Sequence, residues 1–161
     1  MTDEAPDKLA ALVDAVRALD HVGAPHALVG SVAVGLRSGV PRATLDTNIA
    51  VRSTVERDAL VEALSAAGLR LTGTFAHSLN FRHPSSELIQ IVVDSAFDPM
   101  IDRAEPLELS GVRIRVVTTA DLIAMKERAA TDPARRRSQA LRDQADIALL
   151  RGDVPNPDEG W

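Results

Sequence analysis

Three short features of the sequence could carry chemistry. Gly30-Ser31 follows the apolar run His26–Val29 and precedes a second apolar stretch, so it reads as a tight turn from a strand into a helix. Backbone N–H groups at a helix start favour phosphate oxygens, although a plain Gly-Ser turn looks the same. Asp46 and Asn48, next, stand two residues apart and project to one side of a strand, because strand side chains alternate. Two oxygen ligands at that spacing can hold a hard divalent cation such as Mg²⁺, which takes carboxylates, water and substrate phosphates. Asp94, finally, closes the aliphatic run LIQIVV. An acid there either caps the next turn or points into a site; beside Asp46 and the Gly-Ser turn, the site reading moves ahead.

The elements that must position these residues are legible from periodicity. Leu9, Leu12, Val13, Val16 and Leu19 recur at three- and four-residue spacing, which predicts an amphipathic helix over 7–19 ended near Gly23 and Pro25. His26–Val29 predicts a strand, and Val32–Leu36 a short helix stopped by Gly39 and Pro41. Leu45–Arg52 alternates with period two and predicts a strand with an unusual polar side. Ser53 and Glu56 read as a capping box before a helix that Gly68 stops. Leu69–Thr72, Leu79–Arg82 and Leu88–Asp94 predict consecutive strands, and Val112, Ile114 and Val116 another, half-exposed one. Two helices follow, one after Thr118-Thr119 with Asp121 completing a cap, the other from about Ala134 to Leu150. Strands early and helices late imply an α+β fold.

Composition excludes more than it identifies. The 161 residues suffice for one domain, expected over 1–151 with a flexible surface tail over 152–161 that is rich in Pro, Gly and acids. With 45% hydrophobic and 25% charged residues the chain is neither disordered nor membrane-embedded, and no run reaches the roughly 18 apolar residues of a spanning helix. The absence of Cys removes disulfides and thiolate zinc sites and fits a cytoplasmic location. A net charge of -5 argues against broad nucleic-acid binding, and 2% aromatics against a base-stacking platform. His21, His26, His77 and His83 show neither metal-ligand spacing nor a neighbouring nucleophile motif.

Taken in order, Gly30-Ser31, Arg42-Ala43-Thr44-Leu45-Asp46 before an aliphatic strand, Asp94 after one, Thr119–Lys126 and Arg142–Leu150 resemble the signature of the minimal nucleotidyltransferase fold. More specifically they resemble the AbiEii-type nucleotidyltransferase toxins of abortive-infection, type IV toxin–antitoxin systems, over about Val29 to Leu150. The resemblance implies a nucleotidyltransferase-like mixed sheet flanked by helices, with C-terminal helices. It also implies a site in which Gly30 and Ser31 hold a nucleoside triphosphate while Asp46, position 48 and Asp94 bind two Mg²⁺ or Mn²⁺ ions. Such ions activate an attacking hydroxyl and stabilise the departing pyrophosphate. The acceptor would be an RNA, such as tRNA, or a protein hydroxyl, and the partner an antitoxin.

The chain departs from that pattern at Asn48, where the family has a second Asp, so the ligand set loses one of three negative charges. The expected activity is therefore weak or lost, and the alternative is a catalytically degenerate nucleotide-binding or regulatory module on the same fold. A third reading is an α+β domain with no nucleotide site. Lys126 reads either as a phosphate contact, as the resemblance suggests, or as a lysine snorkelling from the edge of a buried stripe. Arg42 and Thr44 either fix the loop before Asp46 or touch phosphate. Asp143 and Asp146 read as structural, Asp143 orienting Lys126 or a strand residue. Arg135, Arg136 and Arg137, joined by Arg142 and by Arg113 and Arg115 if they converge, would guide a polyanion; otherwise they are a solvated helix start.

Overall fold

A computed structural model describes residues 7–41, 44, 46–156 and 158. Helix α1 (Lys8–His21) starts where the Asp7 side chain accepts a hydrogen bond from the Ala10 N–H, and its apolar stripe buries Leu12, Ala15, Val16 and Leu19. Strand β1 (His26–Val29) runs directly into α2 (Gly30–Ser38), which Gly39 ends in the left-handed conformation, as expected of a C-terminal glycine. Strand β2 (Asp46–Val51) leads to α3 (Arg57–Ala66). Three antiparallel-linked strands follow, β3 (Arg70–Thr74), β4 (Ser78–Arg82) and β5 (Leu88–Val92). After a 3-10 turn (Ser95–Phe97) come α4 (Asp98–Arg103), β6 (Glu105–Leu109), β7 (Val112–Val116), α5 (Thr119–Thr131) and α6 (Arg137–Leu150).

The strands form a seven-stranded mixed sheet in the order β3-β4-β5-β2-β1-β7-β6. β2 pairs antiparallel with β1 and parallel with β5. Alternation along β2, β4 and β5 divides the sheet into unlike faces. Ile49, Leu79, Phe81, Ile89 and Ile91 are fully buried in one core with Leu12, Val16 and Leu19 of α1 and Leu60 and Leu64 of α3. Asp46, Asn48, Asn80, Leu88 and Gln90, on the other parity, are only half-buried. α2 packs on β1 and β2 and also meets α5 and α6, which brings the C-terminal helices to that polar side. Arg37 fastens this arrangement, its guanidinium donating to the Val117 carbonyl at 3.0 Å and the Val116 carbonyl at 2.9 Å, while pairing with Glu105 at 3.0 Å.

One local expectation needs correcting. Ser53 and Glu56 do not form a capping box: α3 begins after Glu56 with no side-chain cap. The Ser53 backbone N–H and hydroxyl instead donate to the two carboxylate oxygens of Asp98, at 2.9 and 2.6 Å. A charged acceptor outcompetes the neutral helix-cap geometry. Pro106 and two glutamates interrupt any strand pattern over Glu105–Leu109, and β6 forms there at the sheet edge, where Pro is tolerated and glutamates reach solvent. Its hairpin to β7 turns through Ser110 (φ 50) and Gly111 (φ 75), the consecutive left-handed residues of a type I′ turn. Helix α4, whose six residues are too few to show a period, is likewise unmarked in the sequence. At the start of α5 the Thr118 hydroxyl accepts from the Asp121 N–H at 3.1 Å, as read from the sequence. No helix among the described residues is long and apolar enough to cross a membrane.

Candidate functional site

The site is built around the junction of β1 and α2. Gly30 has φ 74, and a Cβ placed on it would lie 2.5 Å from Asn48 Nδ2 and 3.2 Å from its Cβ and Cγ. Glycine is thus required both by the backbone and by the side chain on the next strand, whose Asn48 pairs in register with Val29. Gly30 and Ser31, the first residues of α2, line a cleft, and among the described residues that end of the helix has no side-chain cap.

On β2, Asp46 and Asn48 both line this cleft, as does Thr44, whose hydroxyl donates to the Asp46 carbonyl at 3.1 Å. The parallel register of β2 with β5 places Gln90 beside Asn48, and the antiparallel register of β5 with β4 places Asn80 beside Gln90. A row of three neutral amides therefore crosses the sheet. The Asn48 and Asn80 Oδ1 atoms are buried, and neither has a hydrogen-bond partner among the described residues.

The opposite wall comes from α5 and α6. Lys126 Nζ lies 3.4 Å from Asp143 Oδ1 and 3.2 Å from Asp146 Oδ2, and both carboxylates are buried. Arg135, in the α5–α6 connection, donates to Asp143 from Nε at 2.6 Å and from Nη2 at 3.2 Å. This two-point contact holds the connection against α6. Arg142, exposed on α6, lines the same cleft, whose volume is about 1290 Å³.

The structure thus brings Gly30, Ser31, Thr44, Asp46, Asn48 and Lys126 to one cleft. Asp94 is not among them. It lies past the end of β5, four residues beyond Gln90, or about 13 Å along a strand. There its carboxylate accepts from the Ala96 N–H at 3.0 Å and caps the 3-10 turn. Asp94 takes the capping geometry, and the β5 residue that stands beside Asn48 in the cleft is Gln90, which sequence reasoning did not single out. Its signal was a lone polar residue inside LIQIVV, on the same strand parity as Asp94. Arg42, Ala43 and Leu45 lie outside the described residues, as do 157 and 159–161 of the tail. Of the basic residues, Arg135 and Arg142 reach the cleft, but Arg113 pairs with Glu108 at 3.8 Å and Arg115 donates to the Ala104 carbonyl at 2.6 Å. Those two strand arginines do not join Arg135 and Arg142 at the cleft.

The sequence model of the family described as "Nucleotidyl transferase AbiEii toxin, Type IV TA system" matches residues 12–159. The chain belongs to the AbiEii nucleotidyltransferase toxin family. No curated protein shows significant sequence similarity to this AbiEii-family chain. Solved structures share its fold. An antigenic nucleotidyltransferase-like protein from Paracoccidioides brasiliensis superposes with a TM-score of 0.65 at 21% identity, covering 98% of this chain and 82% of that one. The antibiotic-resistance factor ANT(2'')-Ia gives 0.65 at 16% identity, covering 90% and 84%. The lincosamide antibiotic adenylyltransferase LnuA gives 0.65 at 11% identity, covering 94% and 99%. The AbiEii-family chain therefore has a nucleotidyltransferase fold, with the mixed sheet flanked by helices that its motifs imply.

The donor set can be tested against the metal ions that this family membership suggests. Among the described residues, no group of three or more His, Asp or Glu side chains is placed to hold a metal ion. Of the described strand positions lining the cleft, Asp46 alone is anionic; Asn48 and Gln90 offer neutral amide oxygens. Hard oxygen donors suit Mg²⁺ or Mn²⁺, and the orphaned Asn48 Oδ1 is an acceptor that a cation would satisfy. The other two carboxylates of the cleft, Asp143 and Asp146, already face Lys126.

Proposed function

We infer that this AbiEii-family chain binds a nucleoside triphosphate through its phosphates, and that transfer of the nucleotidyl group to an RNA or protein hydroxyl is weak or lost. The observation that carries this reading is the meeting, in one cleft, of the uncapped Gly30-Ser31 helix start with Asp46 and Lys126. Amide N–H groups at a helix N-terminus and the Lys126 ammonium are suited to phosphate oxygens. The volume of about 1290 Å³ exceeds what one small ligand usually fills, leaving room for an acceptor group beside the nucleotide. Arg142, exposed on α6 and lining the cleft, supports contact with a polyanion such as tRNA, whereas Arg135 is committed to Asp143.

In nucleotidyl transfer an acceptor oxygen bonds to the α-phosphorus, the α–β phosphoanhydride bond breaks, and pyrophosphate leaves with the electron pair. Asp46 is the carboxylate positioned near the phosphate turn to orient the acceptor hydroxyl or take its proton. Bound Mg²⁺ or Mn²⁺ would neutralise charge on the triphosphate. Asn48 and Gln90 accept no proton and add no negative charge, which favours the second reading, a nucleotide-binding or regulatory module acting on a partner such as an antitoxin in the cytoplasm.

Titration with each of the four ribonucleoside triphosphates, with and without Mg²⁺ or Mn²⁺, tests the reading. Saturable binding with little transfer of α-phosphate label to RNA or protein is expected, and Asp46→Ala should abolish the metal-dependent part. Failure to bind any of the four under any condition would sink it.

A further inference from the structure

The amide row limits what the cleft can hold. Asn48 and Gln90 are register neighbours on β2 and β5, both line the cleft, and both are neutral. The next residue along the row, Asn80, is neutral too, so no carboxylate replaces the missing charge from that side. On the facing wall Asp143 is engaged by Lys126 and by both contacts from Arg135, and Asp146 lies 3.2 Å from the Lys126 ammonium. Asp94, the remaining candidate acid, caps a turn past the far end of β5.

Resting on the nucleotide-binding reading above, we propose that the cleft accepts one divalent cation together with the triphosphate and has no place for a second. Two dications about 3.5–4 Å apart repel strongly and persist only where shared anionic ligands bridge them. Asp46 supplies one carboxylate. A single Mg²⁺ or Mn²⁺ needs no more, because such ions are held by one or two carboxylates with substrate phosphates and water. The orphaned Asn48 Oδ1 offers a neutral ligand to that one ion. A second ion would have to rest on the amides of Asn48 and Gln90 with Asp46 already shared. Asn48 and Gln90 thus set the ion count of the cleft and, through it, separate nucleotide binding from activation of the acceptor hydroxyl.

The test counts ions. With the protein saturated by α,β-methylene ATP, whose α–β bridge resists cleavage, Mn²⁺ is titrated and free Mn²⁺ is read by electron paramagnetic resonance. One bound Mn²⁺ per chain is expected for the native protein, and two for the Asn48→Asp, Gln90→Asp double variant. Asn48→Asp alone serves if the double variant fails to fold, and it should bind Mn²⁺ at least tenfold more tightly than the native chain. Two ions in the native protein would overturn the ion count while leaving nucleotide binding intact; an unchanged count or affinity in the variants would show that the amides do not set it. If the analogue does not bind with Mn²⁺, both the ion count and the nucleotide-binding reading fail.

Discussion

Gly30 and Asn48 touch so closely across the β1–β2 pair that no side chain fits between them. A Cβ at Gly30 would stand 2.5 Å from Asn48 Nδ2 on a backbone already at φ 74. The β1–α2 turn and the polar strand are thereby made one unit, since displacing either side chain or turn displaces the other.

Gly30→Ala should lower stability through two additive costs, about 1–2 kcal/mol for a left-handed non-glycine residue and about 1–3 kcal/mol for overpacking. Gly23→Ala is the control, since Gly23 has φ 67 but nothing within 4 Å of its added Cβ. Urea denaturation of both variants reads the difference. Equal losses would show that the Asn48 contact costs nothing.

Asp143→Asn should destabilise the α5–α6 pair, because Lys126 and Arg135 would lose a shared buried counter-ion. Breaking a fully buried pair costs about 3–5 kcal/mol; with the Arg135 side chain 33% exposed, a loss of about 2–3 kcal/mol is expected. A double-mutant cycle with Lys126→Met checks this, and additive losses would mean the two residues do not interact.

The turn between β4 and β5 carries a buried polar chain whose proton positions the geometry dictates. His83 Nδ1 lies 3.1 Å from the Ser85 backbone N–H, which can only donate, so Nδ1 is the acceptor and Nε2–H donates to Asp14 Oδ2 at 2.7 Å. Ser85 Oγ accepts in turn from the Asp7 N–H at 3.1 Å, tying the start of α1 to this turn. Nitrogen-15 chemical shifts of the neutral ring should report the Nε2–H tautomer. Ser85→Ala should cost about 0.5–1.5 kcal/mol, the net value of the hydrogen bond from the exposed Asp7 N–H, which water can then replace.

Two carboxylates make stability sensitive to acid. The Ser53 hydroxyl and N–H, and to a lesser degree the Arg52 charge, hold Asp98 below the ordinary carboxylate range despite partial burial. The Arg103 guanidinium, assisted by Thr118, does the same for Asp121. Groups depressed in the folded state contribute stability that is complete above the unfolded value of about 3.9 and is lost as pH falls through the lower folded value. Thermal melting between about pH 5 and pH 2 should therefore fall more steeply for the native chain than for Asp98→Asn, which starts less stable and has less to lose.

The sequence by itself determined most of the local elements, though not β6 or α4, and most of the cleft's membership. Periods of 3.6 and 2 are local properties, so α1, β1, β2, β5 and β7 fall where their apolar spacing puts them, and Gly30, Asp46, Asn48 and Lys126 could be singled out as chemistry. Parity along β5 went only part of the way. Leu88, Gln90 and Asp94 share one parity, and nothing in LIQIVVD says which of them stands beside Asn48. That is decided by the register of β5 on β2, a contact between segments about forty residues apart, and it selects Gln90. The same holds for Lys126, Arg135 and Asp143. Their types are visible in the chain, but their convergence depends on α5 and α6 folding back against α2, where burial of the two carboxylates makes the ion pairs obligatory.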